Sequence, residues 1–223
     1  MKRAEQSNAP NTTCLNMPEY NEHKITLASF AQIDQEIGEH CFSPAEYAIA
    51  RRVIHTTADF EFKQRLRFSG DPVTIAAQAF HQDRAIVTDV SMVAAGIRTV
   101  AARTWQSSVM EAIAHSPVSV PPHQTRSAEG MRACMRLYPG AIVAIGNAPT
   151  ALLSLCEDIV SGQAEPALVI GAPVGFINVV ESKQMLADLS VPHILVEGRK
   201  GGSAVAAAIL NALMIWTWQH KTP

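Results

Sequence analysis

The sequence predicts an α/β protein with a mainly parallel central sheet and helices on both of its faces. Short apolar runs alternate with helical segments along the chain, which is the pattern of strands buried on both sides. Of the 223 residues, 48% are apolar and only 17% are charged, which provides a large core and excludes a disordered chain. Residues 1–23 are mostly polar and are expected to be a tail. Since domains usually hold roughly 100–200 residues, we expect one domain over residues 24–223.

Helical signals come first along the chain. Apolar residues at helical spacing predict a helix over Ser29–Ile37, and Gly38 supplies its stop. The segment Ser43-Pro44-Ala45-Glu46 combines a capping box with a proline at the first helical position, so a helix is expected from there to about Ala58. A short extended piece and another helix are expected next, at Leu66–Ser69 and Asp71–His81.

Four short apolar runs are predicted to be the strands of the sheet: Ala85–Thr88, Ala141–Ile145, Ala167–Ile170 and Ile194–Val196. Each is followed by a loop of small residues and then a helix, the first of these helices covering Ser91–Ala95 before Gly96. Ligands of open parallel sheets bind beyond the carboxyl ends of the strands, so these loops form the predicted binding site. Glycine would let backbone N–H groups approach a ligand closely, although the same glycines would also suit tight turns.

Several classes of function are disfavoured by composition and motif. The formal net charge of -2 and the lack of basic blocks argue against nucleic-acid binding. The four cysteines are scattered, which favours a reduced, cytoplasmic protein. The most apolar stretch, Ala204–Trp218, is interrupted by Asn211 and Thr217, so no membrane segment is expected. The sequence contains no P-loop, dinucleotide, HExxH or GxSxG motif, and we expect neither a metal nor a cofactor.

Two sets of polar residues are candidates for chemistry. Arg52 and His55 lie three residues apart on the capped helix, where they could serve catalysis or could be a surface arginine beside a half-buried histidine. Arg126 precedes another helical segment, as a carboxylate receptor or a surface ion pair, while Ser127 is predicted to be a helix cap rather than a nucleophile. Lys183 is expected on a solvated face, from which it could reach an anion.

The sequence resembles the precorrin-8X methylmutase family, also called precorrin isomerases or cobalt-precorrin-8 methylmutases. The resemblance runs from about Ser29 to Leu213, and its most specific segments are GNAPTAL and ESK. The matching segments are Arg51–His55, Asp89–Ile97, Thr125–Ala128, Gly146–Leu152, Gly171–Phe176, Glu181–Lys183, Gly198–Ser203 and Asn211–Leu213.

The resemblance implies a flavodoxin-like three-layer fold, a homodimer and a role in cobalamin biosynthesis. The family moves a methyl group from C-11 to C-12 of the tetrapyrrole, giving hydrogenobyrinate or its cobalt form. Its catalytic histidine corresponds to His55, and its substrate-contacting serine and arginine correspond to Ser29 and Arg52. The residues just after His55 depart from the family's small-residue pattern. Further substrate contacts are expected from Met92, Arg126, Ser127, Asn147, Thr150, Gly175 and Phe176.

The residues and the resemblance agree in their chemistry. Arginines, loop amides and helix N-termini around an apolar slot suit a tetrapyrrole with carboxylate arms, and an internal methyl shift needs no nucleophile or redox cofactor. We therefore expect His55 to act as an acid toward the macrocycle. A non-catalytic corrinoid carrier, a phosphosugar or nucleotide enzyme of the same fold, and a structural protein are the alternatives.

Overall fold

The computed structural model describes residues 20–221 of the chain. Most of the polar segment predicted over residues 1–23, including Cys14, lies outside these residues. Within them the helices are α1 (Lys24–Glu36), α2 (Pro44–Thr57), α3 (Phe62–Arg65), α4 (Pro72–His81), α5 (Ser91–Arg103), α6 (Arg126–Leu137), α7 (Pro149–Val160), α8 (Val179–Ala187) and α9 (Ser203–Gln219), with a short 3₁₀ helix at Ala112–His115. The strands are β1 (Leu66–Ser69), β2 (Ile86–Thr88), β3 (Val109–Glu111), β4 (Ile142–Ile145), β5 (Leu168–Gly171) and β6 (His193–Val196).

The six described strands form one sheet in the order β1-β6-β5-β4-β2-β3. All neighbouring pairs are parallel except β1 with β6, so β1 is an antiparallel edge strand. The five parallel strands have the flavodoxin-like order. After β2 the chain leaves for β3 on one side and returns to β4 on the other, which places the topological switch point between β2 and β4. The predicted α/β fold with a mainly parallel sheet is confirmed.

Helices cover both faces of the sheet, and alternating strand residues fill two cores. Ile86, Ile142 and Ile194 point into the core shared with α1, α2, α4, α5 and α9. Val87 and Val143, which alternate with them, point into the core shared with α6, α7 and α8. This is the three-layer arrangement in which strands are apolar on both sides.

The last helix, α9, lies at the centre of the larger core. Thirteen of its seventeen residues are buried, because α2, α4 and α5 all pack on it. A helix that is apolar on all sides needs this kind of burial. No helix among residues 20–221 is long and apolar enough to cross a membrane.

Two predicted helices differ from the observed ones in length. Helix α1 begins at Lys24 instead of Ser29, since His23 accepts a hydrogen bond from the amide of Ile25 and caps the earlier start. Helix α5 does not stop before Gly96 but continues to Arg103. A Cβ atom on Gly96 would lie 2.8 Å from the Cβ of Ala207, so this glycine allows α5 and α9 to pack closely.

The start of α2 is as predicted. The hydroxyl of Ser43 accepts a hydrogen bond from the amide of Glu46, and the Glu46 carboxylate accepts one from the amide of Ser43 at 2.8 Å. The helix ends at Ala58, whose φ of +52° is left-handed. This termination places His55 in the last turn of α2.

Candidate active site

His55 lies exposed at the end of α2, against an aromatic ring of α1. Its imidazole meets the ring of Phe30 edge-on, with 5.3 Å between ring centroids. Among residues 20–221 the imidazole makes no hydrogen bond or ion pair. Both ring nitrogens are therefore available to a ligand, as an acid or base requires.

The two arginines before His55 flank the same Phe30 ring. Their guanidinium carbons lie 4.5 Å (Arg51) and 5.4 Å (Arg52) from the ring centroid. Arg52, the predicted substrate contact, is half-buried and paired with Glu22, from the segment that precedes α1. A substrate carboxylate would have to compete with Glu22 for this guanidinium.

A cavity of about 190 Å³ opens beside this arginine pair, lined by Glu22, Phe30, Arg51, Arg52 and Trp216 among others. The predicted Ser29 lies next to Phe30 on α1 and is half-buried. Its hydroxyl donates to the carbonyl of Ile25 at 3.0 Å, within its own helix. The structure therefore brings Arg52 and His55 together around the Phe30 ring, with Ser29 next to Phe30 in sequence.

The switch point between β2 and β4 is occupied by a carboxylate of the protein itself. Asp89, fully buried after β2, accepts hydrogen bonds from the amides of Gly146, Asn147 and Ala148 at 3.1, 2.7 and 2.8 Å. Burial raises the pKa of Asp89, and these amide bonds act in the opposite direction. Helix α7 lacks a side-chain cap of its own, so Asp89 takes the place at its N-terminus where this fold could receive an anion.

The glycines of the other loops also serve contacts within the protein. The amide of Gly202 donates to the carbonyl of Ala172 at 2.8 Å, and that of Gly175 donates to the carbonyl of Arg199 at 3.3 Å. A Cβ atom on Gly201 would lie 2.3 Å from the oxygen of Ala172. Close packing between neighbouring loops therefore requires these glycines, and the amides of Gly175 and Gly202 are engaged within the protein, so the expectation that loop amides receive the ligand stays a prediction.

Large apolar side chains are nevertheless exposed at the carboxyl edge. The side chains of Met92 and Phe176, both predicted contacts, are 71% and 82% exposed. Ile177 and Val174 are exposed beside Phe176, and the side chain of Asn147 faces solvent after β4. Exposed apolar side chains that share one edge are typical of a ligand or partner surface.

The N-terminus of α6 meets that of α7 at this edge. The hydroxyls of Thr125 and Thr150 are hydrogen-bonded at 2.8 Å, and Thr125 also accepts from the amide of Ala128. Thr125 is therefore the helix cap, and the prediction that Ser127 is the cap is wrong, because Ser127 is the second residue of α6. The guanidinium of Arg126 is exposed and donates to the carbonyl of Ile113 at 3.5 Å.

Lys183 does not lie on a solvated face, as its sequence neighbours suggested, but is 2% exposed. Its ammonium donates to the carbonyls of Gly198 and Lys200, both at 2.7 Å. Burial lowers the pKa of Lys183 to about 8. The ESK motif carries this lysine, but its partners are backbone atoms distant in sequence, which no local pattern reveals.

Lys200 joins the carboxyl edge to the end of α2. Its ammonium pairs with Asp59 at 2.6 Å and with Glu61, and this pairing lowers the pKa values of both carboxyl groups. Because Asp59 follows His55 by four residues, the end of α2 lies at the same edge as the loop after β6. The ion pairs of Lys200 thus connect the end of α2, which carries Arg52 and His55, to the loop after β6.

Other reactive groups do not converge here. Residues 20–221 contain no group of three or more His, Cys, Asp or Glu residues that could hold a metal ion. Burial raises the pKa of Cys134 to about 11 and, together with Glu157, that of Cys156 to about 12, so both thiols are poor nucleophiles.

Fold and site together define a flavodoxin-like α/β protein whose carboxyl edge combines an exposed histidine, arginines and apolar side chains. A family model described as precorrin-8X methylmutase matches residues 24–216, and the chain belongs to that family.

Two curated relatives and one solved structure match over nearly their whole length. The chain is 47% identical to a cobalt-precorrin-8 methylmutase of Synechocystis sp., over 89% of this chain and 98% of that one. It is 41% identical to a precorrin-8X methylmutase of Pseudomonas aeruginosa, over 85% and 93%. A crystal structure of precorrin-8x methyl mutase from Thermus thermophilus superposes with a TM-score of 0.81 at 41% identity, covering 90% of this chain and all of the other.

Proposed function

We propose that this protein is an isomerase of cobalamin biosynthesis that moves a methyl group from C-11 to C-12 of a precorrin-8 macrocycle. The observation that carries the proposal is the exposed imidazole of His55, beside Phe30 and the arginine pair, in a chain of the precorrin-8X methylmutase family. Relatives named for the metal-free and the cobalt substrate both match, so the substrate is precorrin-8X or its cobalt form.

His55 is the proton donor in this proposal. Its imidazole has no internal hydrogen-bond partner among residues 20–221, and histidine is the side chain suited to give and take a proton near neutral pH. Protonation of the macrocycle by His55 alters the conjugation across which the methyl group migrates. Because the reaction is an isomerisation, the proton added must be matched by one that leaves, which restores the imidazolium. General acid catalysis of this kind contributes typically about 10²–10⁴-fold.

The carboxylate arms of the macrocycle are received by arginines. Arg126 is exposed, and among residues 20–221 its guanidinium donates only to the carbonyl of Ile113. Arg52 becomes available when a substrate carboxylate replaces Glu22, an exchange of one ion pair for another. A planar guanidinium can bind a carboxylate through two parallel hydrogen bonds, which also fixes the orientation of the arm.

The apolar face of the ring contacts the exposed side chains of the carboxyl edge. Phe176 and Met92 supply the exposed apolar area, and the remaining contacts are those expected from the family resemblance. These other contacts are Ser29, Ser127, Asn147, Thr150 and Gly175. A macrocycle held in one shape between these apolar side chains and His55 needs less reorganisation to reach the transition state.

We also propose that the protein acts as a cytoplasmic homodimer. The family resemblance supports this assembly. Light scattering of the purified protein gives the assembly directly.

The reaction is tested by incubating the purified protein with metal-free precorrin-8X and, separately, with its cobalt form. A methyl shift changes the absorption spectrum to that of the orange hydrogenobyrinate, or of its cobalt form, while the mass stays the same. His55→Ala should bind the substrate without converting it. If the wild-type protein binds both forms of the substrate but the absorption spectrum of neither form changes, the carrier alternative replaces the proposal.

A further inference from the structure

The loop after β6, residues 198–202, holds an exposed arginine over an exposed aromatic ring. The guanidinium carbon of Arg199 lies 5.6 Å from the centroid of the Phe176 ring, within the range of a cation–π contact. Both side chains are exposed at the carboxyl edge. Among residues 20–221 no carboxylate lies within ion-pair distance of Arg199.

Neighbouring contacts fix the backbone of Arg199 on both sides. The buried ammonium of Lys183 donates to the carbonyls of Gly198 and Lys200, which precede and follow it. The carbonyl of Arg199 itself accepts a hydrogen bond from the amide of Gly175. The side chain therefore projects from a fixed backbone, and a ligand would not have to order the loop.

Two of the other cations near this edge are already engaged in ion pairs. Lys200 is paired with Asp59 and Glu61, and Arg98 is paired with Glu111. A carboxylate that binds Arg199 displaces no ion pair among residues 20–221, and the guanidinium lies within cation–π range of the Phe176 ring. A planar cation stacked on an aromatic ring still presents its N–H edge to a carboxylate.

We propose that Arg199, stacked on Phe176, is a specificity-determining residue that binds one carboxylate arm of the macrocycle, and that Lys183 is the positioning residue that sets its backbone. The inference rests on the proposed function, since that function supplies a ligand with carboxylate arms. It adds a receptor at the loop after β6, separate from Arg52 and Arg126.

The first test replaces Arg199 with glutamine and measures KM and kcat with precorrin-8X. The expected result is a KM raised about tenfold with kcat changed less than twofold, because the arm is bound equally in the ground and transition states. Arg199→Lys keeps the charge but not the planar fork, so it should restore part of the affinity. The matched control is Arg136→Gln, an exposed arginine at the far end of α6, which should leave KM unchanged.

The second test asks whether Lys183 affects substrate binding by positioning Arg199. Lys183→Met should raise KM while the unfolding midpoint is followed in parallel, and the double variant with Arg199→Gln should raise KM no further than Arg199→Gln alone. Additive effects in the double variant would show that Lys183 acts elsewhere and would overturn its role as a positioning residue.

Titration with the product hydrogenobyrinate separates this inference from the proposed reaction. Weaker binding of hydrogenobyrinate to Arg199→Gln than to wild type supports the receptor even where no turnover occurs. Equal binding and an equal KM in the two proteins would overturn it. A change of oligomeric state in Arg199→Gln, seen by light scattering, would also overturn it by assigning Arg199 to an interface between copies.

Discussion

Replacing Asp89 with alanine removes the carboxylate that holds two loops together at the switch point of the sheet. Its oxygens accept three amide hydrogen bonds, from Gly146, Asn147 and Ala148, and the side chain is fully buried. Hydrogen bonds to charged groups contribute about 1.5–3 kcal/mol each, so three of them sum to about 4.5 kcal/mol at the lower end. The burial that raises the pKa of Asp89 offsets part of this, and we expect the free energy of unfolding to fall by about 3–4 kcal/mol.

Urea unfolding followed by circular dichroism measures this loss, and thermal unfolding should show a Tm lower by about 8–15 °C. Asp89→Asn should lie between wild type and alanine, because one oxygen acceptor remains. The control is Asp188→Ala, whose exposed carboxylate accepts a single bond from Gln184, with an expected change within about 0.5 kcal/mol. Added formate should restore part of the stability of Asp89→Ala. A loss below about 1 kcal/mol would refute the assignment of Asp89 as the internal anion bound by the amides of Gly146, Asn147 and Ala148.

Three further predictions concern packing, titration and reactivity. A Cβ atom on Gly130 would lie 1.8 Å from a backbone carbonyl oxygen, so Gly130→Ala should cost about 3 kcal/mol in urea unfolding, and a neutral result would contradict the close packing. Lys183 has a folded pKa of about 8 against 10.5, so the unfolded chain binds more protons between these values. The free energy of unfolding should therefore rise with pH across that range, by about 3 kcal/mol relative to Lys183→Met. A difference between the two proteins that stays constant with pH would contradict this expectation. Iodoacetamide should label Cys41 in the native protein and label Cys134 and Cys156 only after unfolding, as peptide mass spectrometry would show; equal labelling would refute the burial.

Much of the fold could be predicted because its signals are local. The capping box at Ser43 predicts the start of α2, and the apolar runs predict the four central parallel strands. Strand β3, only three residues long and half-buried, has no apolar run and was not predicted. The continuation of α5 through Gly96 was missed, because the glycine fits against Ala207 of a helix more than a hundred residues away.

The sequence predicts that two site residues lie close together where both belong to the same local element. Arg52 and His55 share one helix, and the structure places them around the same Phe30 ring. The role of the loop amides was not predictable, since Asp89 and the amides that it binds are more than fifty residues apart. Lys183 was misplaced for the same reason, because its acceptors belong to another loop.

The most direct test of the central claim is the single-turnover rate of His55→Asn with excess enzyme over precorrin-8X, followed by absorption. His81→Asn is the matched control, an exposed histidine in the last turn of α4 that meets Trp105 edge-on at 4.7 Å, much as His55 meets Phe30. We predict that His55→Asn still binds the substrate but converts it at least about 10²-fold more slowly, while His81→Asn keeps the wild-type rate. Conversion by His55→Asn at the wild-type rate would contradict the assignment of His55 as the acid.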